Sequence, residues 1–166
     1  YKSVGPTYLR LNRMPIPLVW KSENECQFEI GKALKVREGS DVGIVASGYP
    51  VGLAAKAADG IAKEGISVEV LDVHTIKPID LESIVKMAKK TGAVLTVEEH
   101  SVIGGLGSAV SEVVGENIPV PIERIGVQDK FGESALDYGE LLVAHGITVG
   151  NIIAGVKKVL ERKKQY

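Results

Sequence analysis

Apolar residues alternate with polar ones from Thr7 to Leu11 and run almost unbroken through Asp41-Val42-Gly43-Ile44-Val45-Ala46. From Val51 onward, Ala54, Ala55, Ala58, Ile61 and Ala62 fall three or four apart. The first pattern has the period of a half-exposed strand, the second that of a buried strand, and the third that of one helix face. Gly48-Tyr49-Pro50 breaks the strand before the helix. The unit then repeats. Val68 to Val73 predicts a second strand, and Asp80 caps a helix that buries Leu81, Ile84, Val85 and Ala88. Ala93 to Val97 predicts a third strand, leading through Gly104-Gly105-Leu106-Gly107 into a helix with Leu106, Ala109, Val110, Val113 and Val114 on one side. Ile122 to Val127 predicts a fourth strand and Leu141 to Ala144 a short helix. Thr148 caps a last helix with Val149, Ile152, Ile153, Val156 and Leu160 inward. Strands alternating with helices define an α/β domain, a three-layer sandwich in which a mostly parallel sheet of about five strands carries helices on both faces.

Before the first unit, Met14-Pro15-Ile16-Pro17 reads as extended linker, because each proline fixes its own φ and moves the preceding residue out of the helical region. The strand-like Thr7 to Leu11 has nothing to pair with before that break, and the chain opens on Tyr1, not Met. We therefore expect residues 1–13 to be the tail of a preceding domain, 14–24 a linker, and 25–166 the domain proper.

The 166 residues suffice for one well-cored domain with an appendage. With 20 basic and 21 acidic residues the formal charge is −1, so no global field favours nucleic acid or an acidic membrane. Cys26 is the only cysteine, which excludes an intrachain disulfide and leaves a zinc site to three histidines and carboxylates. No apolar run approaches the ~20 residues of a membrane span and no secretory signal opens the chain, so a cytoplasmic location is the expectation.

Candidate chemistry gathers at a few points. Gly104-Gly105-Leu106-Gly107 frees backbone N–H groups at a helix N-terminus, where they can cradle a phosphate; equally, the glycines can let the helix pack closely on its strand. Val110 stands where a dinucleotide fingerprint wants Gly or Ala. Glu98, Glu99 and His100 lie where ligands gather in open α/β sheets. They can act as acid, base or metal ligand, or form a polar network at a contact between chains. Arg10 and Arg13 flank a strand end and can grip a phosphate with bidentate hydrogen bonds, or be solvated surface. His74 and His145 are isolated. Cys26 has no basic neighbour to activate it. Lys157, Lys158, Arg162, Lys163 and Lys164 suit the C-terminus of the last helix as solvated partners of its dipole.

Tyr8-Leu9-Arg10-Leu11-Asn12-Arg13, Leu71-Asp72-Val73-His74-Thr75-Ile76-Lys77-Pro78-Ile79-Asp80 and Thr96-Val97-Glu98-Glu99-His100, followed by Gly104-Gly105-Leu106-Gly107, resemble in order and spacing the C-terminal part of transketolases. That resemblance extends over nearly the whole chain. It implies that residues 1–13 end the domain that binds the aminopyrimidine of thiamine diphosphate, and that residues 25–166 are the C-terminal domain. It also implies that Arg13, with Arg10 as a neighbour, grips the phosphate of a sugar phosphate.

The family's Gly-Asp-Gly and downstream Asn, which hold Mg²⁺ and diphosphate, have no counterpart here. The implied role is a structural, dimer-supporting part of a ketol-transferring enzyme, inactive alone. It would bind no thiamine diphosphate or Mg²⁺ by itself and would work with N-terminal transketolase domains on the same or a separate chain, as a homodimer. Glu99, His100, Gly104, Gly105 and Gly107 are then candidates for an interface or anion corner. Deoxyxylulose-phosphate synthases and the β subunits of 2-oxoacid dehydrogenases share such a domain, and a stand-alone anion- or nucleotide-binding module remains the alternative of another class.

Overall fold

The computed structural model describes residues 4–20, 22 and 26–165. Among these the elements follow in the order β1 (Leu34–Arg37), β2 (Val42–Ala46), α1 (Tyr49–Ala62), β3 (Val68–Asp72), α2 (Leu81–Thr91), β4 (Val94–Ser101), α3 (Leu106–Asn117), β5 (Ile122–Val127), α4 (Tyr138–Ala144) and α5 (Val149–Lys163). The sheet order is β1-β3-β2-β4-β5. The last four strands of that order run parallel, and β1 lies antiparallel on the edge.

Successive residues of a strand point to opposite faces, and each face of this sheet has its own core. Ile44, Val70 and Leu95 pack with Ala54, Ala58 and Ile61 of α1 and Ile152 and Val156 of α5. Their neighbours Val45, Leu71 and Val94 pack with Ile84 and Met87 of α2 and Val110 and Val114 of α3. Every residue of β2 is buried, as a strand covered on both faces requires. The architecture is the expected three-layer α/β sandwich.

Thr7 to Leu11, expected to find no partner strand in this chain, is exposed and enters no sheet among the described residues, since an alternating pattern makes a strand only when a ladder receives it. Other details differ from the expectation. The edge strand β1 was not anticipated. The third predicted strand does not stop at Val97 but continues as β4 to Ser101, so Glu98, Glu99 and His100 are strand residues. Lys157, Lys158, Arg162 and Lys164 are paired with Glu64, Glu123, Glu123 and Glu161, not simply solvated.

The stretch Tyr138–Lys163 contains an 18-residue window of mean hydropathy 1.4, apolar enough for a membrane span although no such run was expected. Here it is two helices parted at Gly146, whose φ is 71°, and Ile152, Val156 and Val159 are buried in the core. Tyr1-Lys2-Ser3 of the expected tail, and the expected linker end and domain start at Asn24 and Glu25, lie outside the described residues.

Candidate functional site

β2 and β4 are neighbours, yet the chain leaves β2 for α1 on one face and β4 for α3 on the other. In doubly wound sheets the crevice at such a switch point, beyond the strands' C-terminal ends, is where ligands bind. Here two consecutive carboxylates of β4 close it. Glu98, only 3% exposed, accepts the backbone N–H of Leu106 at 2.7 Å and that of Gly107 at 2.8 Å, at the start of α3. Glu99 points to the other face and accepts the N–H of Tyr49 at 3.2 Å, at the start of α1. The N-cap residues of these helices, Gly105 and Gly48, have no side chain with which to cap. Burial pushes both glutamates above the usual carboxylate range, and the donated N–H bonds pull against that shift.

The glycines are the condition of this arrangement. A Cβ on Gly105 would overlap Glu98 Oε2 and stand 2.7 Å from Ser101 O. One on Gly107 would stand 2.7 Å from Thr96 Oγ1 and 3.0 Å from Glu98 Oε1. Gly104 turns the chain with φ +77° and donates its N–H to Ser108 Oγ at 2.9 Å. The glycines thus let the start of α3 pack closely on β4. The N–H groups of Leu106 and Gly107 hold the chain's own carboxylate.

Glu99 also receives the lead-in segment. Asn12 Nδ2 donates to its two oxygens at 3.2 and 3.3 Å, and the Tyr138 hydroxyl donates to Oε1. Arg10 Nη2 donates to the Glu99 carbonyl at 2.9 Å. The rings of Tyr49 and Tyr138 meet edge to face with centroids 5.2 Å apart. Arg10, Asn12, Tyr49, Glu99 and Tyr138, distant in sequence, therefore converge at the mouth of the crevice.

Of the candidates read from sequence, Arg10 and Glu99 are brought together. Arg13 lies exposed one residue past the anchored Asn12. His100 is exposed, with Nδ1 3.0 Å from Ser101 O, and Gly104, Gly105 and Gly107 belong to the Glu98 side. His74 stacks on Phe28 at 4.3 Å, its Nδ1 2.8 Å from Thr75 Oγ1, and burial lowers its pKa. Its Nε2 is buried without a hydrogen-bond partner among the described residues. His145 closes the C-terminal end of α4. The residues missed were Asn12, Tyr49 and Tyr138. Each is unremarkable in its own segment, and only the fold gathers them.

The residues present do not form a cradle for Mg²⁺ and diphosphate. Among the described residues no three His, Cys, Asp or Glu side chains converge as a metal-ligating set, and Glu98 fills the helix terminus that could receive a diphosphate.

The fold and its crevice define a doubly wound α/β domain whose switch point is closed by its own carboxylates, with a lead-in strapped across the mouth. Residues 31–153 match the family described as "Transketolase, C-terminal domain", and the chain belongs to that family. It is 51% identical over 160 residues to the 6-deoxy-6-sulfo-D-fructose transketolase subunit SqwH of Clostridium sp. (strain MSTE9), covering 96% of this chain and 48% of that protein. It is 38% identical over 152 residues to a 1-deoxy-D-xylulose-5-phosphate synthase of Heliobacterium modesticaldum (strain ATCC 51547 / Ice1), covering 89% of this chain and 23% of the synthase. Among solved structures, a split-gene transketolase in an inactive β4 tetramer superposes with a TM-score of 0.85 at 46% identity, covering 91% of this chain and 48% of that one. The chain spans about half the length of the transketolase subunit it matches, or less of the longer relative.

Proposed function

We propose that this chain is the C-terminal part of a thiamine-diphosphate-dependent transketolase, which moves a two-carbon ketol unit between sugar phosphates. It would act with N-terminal domains on the same or a separate chain, as a homodimer in the cytoplasm. One observation carries the proposal: the chain is 51% identical, over nearly its whole length, to a transketolase subunit about twice as long. We assign the cofactor chemistry to those N-terminal domains. Thiamine diphosphate supplies the carbon–carbon bond chemistry in such enzymes, and the donor groups of this chain do not suit it.

The contribution proposed for the chain itself is twofold. Arg13 supplies a guanidinium suited to bidentate contact with a phosphate dianion, with Arg10 committed to the Glu99 carbonyl. The sheet and its sealed crevice form the support against which the other domains and the second protomer pack, with His100 among the polar contacts.

The test is ketol transfer from xylulose 5-phosphate to ribose 5-phosphate with thiamine diphosphate and Mg²⁺, by this chain alone and with its N-terminal complement. Activity in the mixture only is the expected result. Consumption of pyruvate by the mixture in place of ketol transfer would move the chain to the synthase branch, and activity of the chain alone would overturn the supporting role. Stabilisation of the isolated chain by a nucleotide would favour a stand-alone binding module.

A further inference from the structure

The lead-in holds Asn12 by both ends of its amide. Nδ2 donates to the Glu99 carboxylate, and Oδ1 accepts the backbone N–H of Met14 at 3.0 Å. That second bond closes a turn two residues wide, and the residue enclosed by it is Arg13. On the far side, Pro15 restricts Met14 to extended conformations. Arg13 is exposed, but its backbone is held from both flanks.

We propose that Asn12 is a positioning residue, anchored by Glu99 and Tyr138, which fixes the turn that carries Arg13 and so aims the Arg13 guanidinium at the substrate phosphate. This rests on the phosphate role of Arg13 given under the proposed function. A free arginine side chain loses much rotamer freedom when it grips a ligand, and a mobile backbone beneath it would add to that loss. The anchor is rigid in its own right. Glu99 is tied to the start of α1 through the Tyr49 N–H, and Tyr138 is held by its hydroxyl at Glu99 and by its ring on Tyr49. Arg10, bonded to the Glu99 carbonyl, holds the strap a second time. An exposed loop serving only to connect domains has no need of a dedicated carboxylate. The amide of Asn12 is used fully, with donor and acceptor each committed.

The experiment is calorimetric titration of the assembled enzyme, this chain with its N-terminal complement, with D-ribose 5-phosphate and with D-ribose as the phosphate-free control. Asn12→Ala is expected to weaken ribose 5-phosphate about tenfold, the equivalent of about 1.4 kcal/mol, and to leave ribose unmoved. Asn12→Asp retains the acceptor for Met14 but sets a second carboxylate against Glu99, so it is expected to lose as much. Pairing it with Glu99→Gln restores a donor to the contact and is expected to recover the affinity, a rescue that general loosening of the fold would not give.

Wild-type affinity for ribose 5-phosphate in both Asn12 variants, with a large loss in Arg13→Ala, would overturn the positioning role alone. Failure of the wild type to prefer ribose 5-phosphate over ribose, or retention of that preference in Arg13→Ala, would overturn the phosphate role of Arg13.

Discussion

Glu98 and Glu99 are adjacent in β4 and serve two different helices on opposite faces of the sheet, Glu98 at the start of α3 and Glu99 at the start of α1. The alternation of a strand makes this possible, since neighbouring side chains diverge. Each carboxylate meets the positive end of a helix dipole. The two ends that would offer N–H groups to an anion at the switch point are thereby spent on the protein itself.

Removing the buried carboxylate should therefore cost more than a surface change. Glu98→Ala leaves the N–H groups of Leu106 and Gly107 buried without an acceptor, and we expect a loss of about 2–4 kcal/mol in denaturant unfolding. Gly107→Ala should cost about 1–3 kcal/mol by crowding Thr96 and Arg124. Gly115→Ala is the control on the same helix: a Cβ there meets nothing within 4 Å, and it should stabilise by about 0.5–1 kcal/mol. Equal effects at the two glycines would refute the close-packing account of the corner.

Asp80 caps α2 through Ser83 N at 3.1 Å and also takes the N–H of Ala33 at 2.8 Å, so it ties the segment before β1 to the helix. Asp80→Ala should lose about 2–3 kcal/mol at pH 7, a cap plus a stranded donor. Burial pushes this carboxyl up, but the bonds from Ala33 and Ser83 prevail and hold it below its ordinary value. Its folded pKa is then below the unfolded one. The stability it contributes is present above the unfolded value and disappears as pH falls through the folded one. The gap between wild type and variant should close on acidification below about pH 4, read from urea midpoints at a series of pH values.

How much of this the sequence discloses depends on whether the deciding contact is local. Asp80 and Thr148 mark helix starts correctly because a cap bonds within three residues. Strand β2 is evident because burial on both faces leaves an unbroken apolar run. Strand β1, four residues of which Lys35 is exposed and the other three half-buried, has too short a pattern to register, and its partner β3 lies more than thirty residues on. The extension of β4 through Glu98 and Glu99 contradicts what acids do in strands and is decided by N–H groups of α1 and α3. The candidate site divides in the same way. Arg10, Arg13 and Glu99 stand out by residue type, whereas Asn12, Tyr49 and Tyr138 acquire meaning only from convergence.

Asp72 should behave oppositely to Asp80. Burial alone raises its pKa from 3.8 to about 6, and Oδ1 has no hydrogen-bond partner in the structure. With the folded value above the unfolded one, its favourable contribution is full below pH 3.8 and is lost as pH rises through about 6. Asp72→Asn removes that titration. Between pH 7 and pH 4 the wild type should gain on the variant by about 1–2 kcal/mol, less than the full shift because the group is partly solvated. A constant difference over that range would show that Asp72 is not held in an unfavourable environment.

The basic end of α5 offers a sharper distinction between a bound and a solvated cation. Lys163 Nζ donates to Thr91 O at 2.7 Å, at the end of α2, and to Asp41 O at 3.1 Å, just before β2. It thus fastens a helix of one layer to the last turn of a helix in the other, supplying a donor to a terminal carbonyl that the helix cannot satisfy. Lys157 makes only a half-exposed pair with Glu64. Lys163→Met keeps the apolar stem and removes both bonds, and should cost about 1–2 kcal/mol. Lys157→Met should change stability by less than about 0.5 kcal/mol, and that small effect should shrink in high salt. Thermal unfolding of the two variants at low and high ionic strength separates the cases. If Lys163→Met were as mild and as salt-sensitive as Lys157→Met, the link between the layers would be a surface charge effect, not a stitch.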